Sequence, residues 1–216
     1  LEYLTLDGIK VILDSIDSVS KSGLRDLTLL SVMYDSAARV QEMADLCVSD
    51  VRFEKPSTLR LTGKGQKTRI IPMMDPTAAL IRRYLHEFHG NGGNVSKAPL
   101  FYNHSKSKLT RAGIAYIVSK YVTSARNAHP ALIPGTVSPH GFRHSKSMHM
   151  LQAGVPLIYI RDYLGHSEIS TTEIYARCDS AQKRQAIEAA YPEFRKNEAP
   201  EWHSDDSLMD WLKSLC

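Results

Sequence analysis

Apolar residues recur with the spacing of an α-helix along most of the chain. In "YLTLDGIKVILDSI", residues 3–16, isoleucine and leucine return every three or four positions after Thr5, whose side chain is suited to cap a helix. The same spacing, together with capping residues and with Gly or Pro at segment ends, predicts eight further helices. They span residues 22–37, 39–46, 75–88, 110–128, 138–154, 155–164, 170–177 and 204–215.

Between the third and fourth predicted helices the pattern changes to that of β-strands. Residues 48–53, 58–63 and 67–73 are short segments rich in β-branched residues and separated by turn residues. Gly63 and Gly65 lie between the last two segments, where a tight hairpin requires backbone angles that glycine adopts easily. The predicted fold class is therefore mainly α with a small antiparallel β-sheet.

The overall composition is that of a water-soluble globular protein, with 43% hydrophobic and 23% charged residues in a chain of 216. No apolar segment approaches the roughly 20 residues that span a membrane, so we expect no membrane association. The cysteines Cys47, Cys178 and Cys216 are odd in number and far apart, which argues against a disulfide framework or a zinc cluster. We therefore expect a reducing, cytoplasmic location.

Charge is distributed unevenly along the chain. Between residues 55 and 161, sixteen lysines and arginines occur with only two acidic residues, a local balance of +14, whereas residues 193–216 carry a balance of −3. A basic block of this length is more typical of a surface that binds a polyanion than of a solvated lysine-rich face, which is the alternative. We therefore predict a polyanionic partner.

Five side chains have the chemistry to act on a phosphate. Arg39 lies at the junction of two predicted helices, and His140 and Arg143 share one face at the start of another, where the helix dipole favours an anion. Lys64 lies at the hairpin tip, and Tyr175 lies in a short helix. Each alone has an ordinary explanation, such as an ion pair, an exposed turn lysine or a packed tyrosine. Together they are suited to metal-free phosphoryl transfer, which needs charge neutralisation, a nucleophile and a general acid.

The histidines His140 and His144 are four residues apart, a spacing that suits two metal ligands on one helix face. The metalloprotease motif with this spacing has a glutamate directly after the first histidine, and Gly141 stands in that place here. We therefore predict no metal site.

From residue 1 to about residue 190 the sequence resembles the C-terminal catalytic domain of the tyrosine recombinases, also called phage integrases. The resemblance is carried by short motifs that occur in the family's order: an arginine with a trailing glutamate in "RVQEMADL", then "TGKGQKTRIIPM", "HGFRH", "LGHS" and "TTEIYAR". Two places depart from the family pattern, Ala37–Ala38 where glycine is frequent and Phe142 where leucine is commoner. The family's catalytic positions fall on Arg39, Lys64, His140, Arg143, His166 and Tyr175, and its trailing glutamate falls on Glu42.

The resemblance implies a specific reaction on DNA. Tyr175 would attack a scissile phosphate to form a 3′-phosphotyrosyl intermediate and release a 5′-hydroxyl. Arg39 and Arg143 would hold the phosphate. Lys64 would protonate the leaving 5′-oxygen, and His140 would assist this proton transfer.

The same resemblance gives His166 a hydrogen bond to a non-bridging oxygen of the phosphate. It implies neither a cofactor nor a metal, because the covalent bond conserves the energy of the phosphodiester. The implied partner is double-stranded DNA, which fits the basic block. In that block we predict DNA contacts by Lys67, Arg69, Lys106, Lys108, Arg111 and Lys146.

The resemblance also implies an assembly. Residues 1–190 are expected to form the catalytic domain, and residues 191–216 a polar linker and an amphipathic helix whose apolar face begins at Leu208. In the family such a helix often docks on a neighbouring protomer, so we predict a homotetramer on paired DNA sites. Docking of the helix on its own domain is the alternative. Family members usually also carry an N-terminal DNA-clamping domain, and the chain opens on Leu1, so we expect a catalytic piece of a longer protein.

Two alternative functions share some of these features. A type IB topoisomerase uses a similar set of residues to relax DNA, although the short length and the "HGFRH" and "LGHS" motifs favour a recombinase. In a non-catalytic DNA-binding module, residues 155–177 would form a helix-turn-helix with the last helix in the major groove. That interpretation leaves Arg39 and Lys64 without a role.

Overall fold

The computed structural model describes most of the chain up to the end of the seventh predicted helix. The predicted helices over residues 170–177 and 204–215 lie outside the described residues, as do His166 and Tyr175. The side chain of Lys64 also lies outside the description, whereas its main chain lies within it. The described residues are 3–90, 97–133, 135 and 137–165.

The described chain contains seven α-helices, each of which corresponds to a predicted helix. Their boundaries differ from the predicted ones by at most three residues. The helices are α1 (Leu6–Asp14), α2 (Lys21–Ser36), α3 (Val40–Asp45), α4 (Asp75–His89), α5 (Arg111–Ala128), α6 (Pro139–Gln152) and α7 (Leu157–Leu164).

Local hydrogen bonds fix several helix starts. The side chains of Thr5, Ser20 and Thr110 each accept a hydrogen bond from the main-chain N–H three residues further on, at 3.1 Å. The two threonine caps were expected from the sequence. Helix α6 begins after Ser138 with Pro139 in its first turn. Proline is tolerated there because the main-chain N–H that it lacks would have no partner within the helix.

The three strands are β1 (Val51–Arg52), β2 (Thr58–Thr62) and β3 (Thr68–Pro72), and they form one antiparallel sheet in the order β1-β2-β3. Strand β2 alternates between buried leucines and the exposed Arg60, as a half-buried strand should. Its Leu61 pairs with Arg69 of β3, and the main-chain N–H of Gly63 donates to Lys67 at 2.9 Å across the turn. Gly65 has a φ of 73°, which explains the glycine at this hairpin tip.

The helices pack around a core that the sheet closes on one side. Helix α2 contacts both α4 and α6, and α1 and α3 both contact α5. Phe142 of α6, Tyr84 of α4 and Leu59 of β2 are completely buried in this core. A smaller apolar cluster contains Ala37 at the end of α2 together with residues of α6 and α7. This second cluster brings the ends of α2 and α7 close to α6.

The predicted fold class, mainly α with a small antiparallel sheet, is confirmed by these elements. No helix among the described residues is long and apolar enough to cross a membrane.

Candidate active site

Arg39 is the residue that caps the start of α3. Its main-chain N–H donates to Oε2 of Glu42 at 2.7 Å, and its Nη1 donates to Oε1 of the same carboxylate at 3.0 Å. A glutamate at the third helical position commonly accepts from the cap in this way. Because 45% of the Arg39 side chain is exposed, the guanidinium is tied to the protein at one edge and accessible to a ligand at another.

The Glu42 carboxylate is buried and is the centre of an ion-pair network. It accepts hydrogen bonds from the main-chain N–H and the guanidinium of Arg39. It also accepts two parallel hydrogen bonds from Arg69, with Nη1 at 2.8 Å from Oε1 and Nη2 at 2.9 Å from Oε2. Burial by itself would raise the pKa of Glu42, but the hydrogen bonds and charges of Arg69 and Arg39 lower that pKa to about 2. Glu42 is therefore ionised at neutral pH, and with two arginines around one carboxylate the network keeps one net positive charge.

Arg69 lies on β3 and faces the protein interior, with only 12% of its side chain exposed. We expected this residue to contact DNA; its guanidinium is instead committed to Glu42 and, through Nε, to the main-chain oxygen of Tyr163 at 2.9 Å. A Cβ added at Gly165 would lie 3.0 Å from Cδ of Arg69. Arg69 thus connects the start of α3 to the end of α7.

The hairpin between β2 and β3 begins beside this network. A Cβ added at Gly63 would lie 3.0 Å from Oε1 of Glu42 and 3.9 Å from Nη1 of Arg39. A side chain at this position would require Glu42 to shift by a few tenths of an ångström, so glycine favours the close approach of the main chain. The turn that carries Lys64 therefore starts next to the Arg39 guanidinium.

Arg143 lies in the second turn of α6 and is almost completely buried, with 2% exposed. Its Nη1 donates to the oxygen of Ala37 and its Nη2 to the oxygen of Leu164, both at 2.6 Å. These oxygens lie at the C-terminal ends of α2 and α7, where main-chain carbonyls lack helical partners and the dipole favours a cation. Ala37 precedes Arg39 by two residues, so Arg143 contacts the segment that carries Arg39.

His140 is exposed in the first turn of α6, three residues before Arg143. His144 is buried, with its ring edge-on to Tyr3, and its pKa is lowered by burial and by the nearby His140. The two histidines thus have different surroundings, one in solvent and one in the interior. Among the described residues, no three His, Cys, Asp or Glu side chains are grouped so that they could hold a metal ion.

His166 and Tyr175 lie outside the described residues, but the chain just before them is described. Gly165 ends α7 with a φ of 63°, in the left-handed conformation that glycine favours at helix ends. The two residues before it offer their main-chain oxygens to Arg69 and Arg143. Two arginines from different elements therefore anchor the chain immediately before position 166.

Three of the predicted DNA contacts lie in solvent. Lys67 follows the hairpin turn, Lys106 lies in the connection between α4 and α5, and Arg111 begins α5, and all three are exposed. They come from different loops and helix ends. Their role on DNA stays a prediction.

Two other predicted DNA contacts are in ion pairs. Lys108 lies 2.5 Å from Asp45 but is half exposed. Lys146 lies 3.7 Å from Asp35 and over the ring of Tyr34, with 20% of its side chain exposed. Lys108 is therefore accessible to a phosphate, whereas Lys146 would first have to leave its partners.

The sequence marked Glu42 as the family's trailing glutamate and Arg69 as a DNA contact, but it did not show that these two residues pair. A signal for Glu42 existed, because a glutamate three residues after a candidate cap is a recognised helix-start pattern. For Arg69 no comparable signal existed: an arginine in a strand that follows a basic hairpin suggests solvent. The pairing of these two residues depends on how β3 and α3 pack.

The chain matches the family model described as "Phage integrase family" over residues 2–182. It is 31% identical over 199 residues to the protein named tyrosine recombinase XerC from Pelobacter propionicus, covering 92% of this chain and 63% of that protein. It is 35% identical over 179 residues to tyrosine recombinase XerD from Xanthomonas axonopodis pv. citri, covering 80% of this chain and 57% of that protein. The chain thus spans about three fifths of the length of these relatives.

Solved structures with the same fold include recombinases bound to DNA. The XerH site-specific recombinase in a post-cleavage complex with palindromic difH substrate has a TM-score of 0.70 and 25% identity, covering 86% of this chain and 52% of that one. The XerA recombinase has a TM-score of 0.72 and 22% identity, covering 90% of this chain and 67% of that one, which concerns the fold alone. The family predicted from the sequence is confirmed.

Proposed function

The chain belongs to the phage integrase family, and on that basis we propose that it is the catalytic domain of a site-specific DNA recombinase. In the proposed reaction the Tyr175 hydroxyl attacks a DNA phosphate, forming a 3′-phosphotyrosyl bond while the bond to the 5′-oxygen breaks. The 5′-oxygen takes a proton and leaves as a hydroxyl. A 5′-hydroxyl of a second strand then attacks the phosphotyrosyl bond, which restores a phosphodiester and frees the tyrosine.

The observation that carries the proposal is the meeting of four segments that are far apart in the sequence. The segment of Arg39, the hairpin of Lys64, the start of α6 and the end of α7 are joined by Glu42, Arg69 and Arg143. Each segment carries or leads directly into a residue that the family's motifs mark as catalytic. Their meeting at one place supports a shared active site.

The electrostatics of the site suit a phosphate. The Arg39 guanidinium is half exposed and belongs to a network with one net positive charge, so it can bind a non-bridging oxygen. Arg143 adds a second positive charge near the same segment. This charge is buried, where low polarity strengthens its effect. Fixed positive charge aimed at the charge that develops in the transition state is usually the largest single contribution to catalysis.

We assign proton transfer to the remaining groups of the site. We assign protonation of the leaving 5′-oxygen to Lys64, whose turn begins beside Arg39. His140 is exposed near the start of α6 and assists, and His166 donates to a non-bridging oxygen. The assignments for Lys64 and His166 rest on the family motifs and on the main chain next to each residue.

Binding of double-stranded DNA is proposed to rest on the exposed basic residues. Neutralising a residue that contacts a phosphate should lower the slope of log affinity against log salt by about one. We expect this for Lys67→Ala, Lys106→Ala and Arg111→Ala, measured by fluorescence anisotropy on duplex DNA. Lys146→Ala is the comparison variant: Lys146 lies 3.7 Å from Asp35 and is 20% exposed, so we expect it to change the slope less than the three exposed residues. An equal change of slope for Lys146 would contradict this assignment.

We further propose that residues 1–190 are the catalytic domain and that the helix predicted in residues 191–216 docks on a neighbouring protomer in a tetramer on paired DNA sites. The test is a truncation after Pro192, followed by light scattering on DNA. Loss of the higher assembly is the expected result. An unchanged assembly would show that this helix does not join protomers.

The reaction is tested with a pool of nicked duplexes of randomised sequence, which does not require the target to be known. The wild-type chain should form an SDS-resistant adduct with a subset of the pool, and sequencing the recovered DNA defines the site. Tyr175→Phe should form none. An adduct that survives this substitution, or a wild-type chain that forms no adduct, contradicts the mechanism.

The same material separates the recombinase from the two alternatives. Joining of strands between two selected duplexes is expected of a recombinase. Relaxation of a supercoiled plasmid without joined products would indicate a topoisomerase. Tight binding without any adduct would indicate a DNA-binding module, which would leave the network around Glu42 without a catalytic purpose.

A further inference from the structure

Arg69 stands at the centre of the site without belonging to the set of residues that the family's motifs mark as catalytic. Its three nitrogens reach two segments at once: Nη1 and Nη2 hold both oxygens of Glu42, and Nε holds the main-chain oxygen of Tyr163. Because a guanidinium is planar and rigid, three hydrogen bonds on two edges fix both its position and its orientation.

The contact of Arg69 with Glu42 affects the charge of Arg39. Both arginines donate to the same oxygen, Oε1 of Glu42, Arg69 at 2.8 Å and Arg39 at 3.0 Å. Arg69 therefore neutralises much of the carboxylate that would otherwise neutralise Arg39. Without Arg69, the pair formed by Arg39 and Glu42 would have no net charge, and Arg39 would attract a phosphate less strongly.

At the other end Arg69 bears on the chain that leads to His166. It holds the Tyr163 oxygen, and its side chain packs against Gly165, where an added Cβ would lie 3.0 Å from Cδ and 3.1 Å from Nη1. The chain therefore leaves α7 from a point that is fixed relative to Arg39.

We propose that Arg69 is a positioning residue that sets the end of α7, immediately before His166, relative to Arg39 and keeps the charge of Arg39 available to the substrate. Its catalytic consequence rests on the proposed recombinase function. Arg69 acts through its neighbours and touches no reacting atom. The site would accordingly still bind DNA without Arg69 but would cut it slowly.

The main test compares Arg69→Lys with Arg25→Lys. Arg25 is a matched control because its pair with Asp26 is similarly buried, with 16% and 2% exposure against 12% and 2% for Arg69 and Glu42, and it lies outside the site. Lysine keeps the charge of Arg69 but cannot make the two-pronged contact. On a duplex selected from the pool, we expect Arg69→Lys to lower the single-turnover cleavage rate about 10- to 100-fold, as for a small misplacement of reacting groups. The dissociation constant should change little, and Arg25→Lys should change neither quantity.

A second pair of variants tests the contact with the end of α7 without removing a charge. Gly165 and Gly154 both have positive φ angles, 63° and 78°, so alanine strains the backbone at both. Only at Gly165 would the new Cβ meet Arg69, because nothing lies within 4 Å of it at Gly154. Gly165→Ala should therefore slow cleavage much more than Gly154→Ala at a comparable loss of melting temperature.

A double-variant comparison separates positioning from a general loss of stability. If Arg69 acts through Glu42, adding Arg69→Lys to Glu42→Gln should slow cleavage much less than Arg69→Lys does alone. Independent multiplication of the two effects would overturn the proposal. So would an Arg69→Lys variant that cleaves as fast as Arg25→Lys.

Hydrogen exchange keeps this proposal distinct from the proposed function, because it needs no DNA. Arg69→Lys should speed amide exchange at Tyr163, Leu164 and Gly165, and Arg25→Lys should not. Equal exchange in the two variants overturns the anchoring role. If the wild-type chain forms no adduct with any duplex, the recombinase function fails, and the exchange result still decides whether Arg69 holds the end of α7.

Discussion

Two buried carboxylates, Asp26 and Glu42, have similar surroundings but different connections. Asp26 is 1% exposed and Glu42 is 3% exposed. Arg25 donates from Nε and Nη2 to Asp26 at 2.8 and 2.6 Å, and Arg69 donates from Nη1 and Nη2 to Glu42 at 2.8 and 2.9 Å. Arg25 directly precedes its partner in the chain, whereas Arg69 follows Glu42 by 27 residues.

The difference lies in what each pair holds together. The Tyr121 hydroxyl donates to Asp26 at 3.0 Å, so the Asp26 network joins α2 to α5 within the packed core. The Glu42 network joins α3, β3 and, through Arg69, the end of α7, and it places Arg39 at the surface. A buried ion pair is weak support for stability by itself, because desolvation offsets much of the attraction. What such an ion pair contributes to the protein depends on the segments that it connects.

The largest expected effect is on folding, and it should be alike in the two networks. Glu42→Ala and Asp26→Ala each leave a buried guanidinium without its counter-charge, so each should lower the free energy of unfolding by about 3–5 kcal/mol. Urea denaturation measures both losses. At a temperature where both variants are folded, only Glu42→Ala should lose adduct formation. Equal losses of adduct formation would erase the distinction between the two networks.

Removing one arginine from each network should separate catalysis from stability. Arg39→Ala should lower the rate of adduct formation about 100- to 1000-fold, since a fixed donor to the transition state is lost. Arg25→Ala should lower the melting temperature and leave the rate of the folded protein within a small factor of wild type. Single-turnover assays with saturating protein measure the rates. A normal rate for Arg39→Ala would exclude it from the site.

The Glu42 network should also affect how the free energy of unfolding falls at acid pH. The pKa of Glu42 is lowered from 4.5 to about 2 in the folded chain, against the opposing effect of burial, by its bonds to Arg69 and Arg39. Its contribution is therefore fully present above about pH 4.5 and is lost as the pH falls towards 2, amounting to roughly 3 kcal/mol. Unfolding measured at several pH values should show a shallower acid loss for Glu42→Gln. An unchanged slope would mean that Glu42 is not held as a charged group.

The smallest effect is expected at Ala37, at the opposite end of α2 from Asp26. Ala37 has a φ of 47°, a left-handed conformation that costs a residue with a side chain about 1–2 kcal/mol. Ala37→Gly removes that strain but also removes a buried Cβ and adds chain entropy. We expect a net gain in stability below about 1 kcal/mol, read as a small rise in melting temperature. A fall would show that the packing of Cβ outweighs the strain.

Local features of the sequence were sufficient to predict most of the described fold. The caps at Thr5 and Thr110 act on N–H groups three residues away, and the alternation around Leu59 and Leu61 repeats every second residue. Such interactions depend little on the rest of the chain, so their patterns can be interpreted directly. The cap at Ser20 was missed because the following segment also offers Ser22, and only the folded turn shows which serine accepts the bond.

The sequence by itself determined the order and type of the elements and the basic character of the middle of the chain. Its motifs also indicated the family, and with it the candidate catalytic positions of Arg39 and Arg143. It did so because periodicity, caps and motifs are local. Only the tertiary structure decided that the Arg69 guanidinium binds Glu42 and the main-chain oxygen of Tyr163, and that Arg143 bridges the ends of two helices. A guanidinium can donate hydrogen bonds to a phosphate, a carboxylate or a carbonyl, and most strongly to the two anions. Which of these partners it meets depends on how strands and helices distant in the sequence pack against each other.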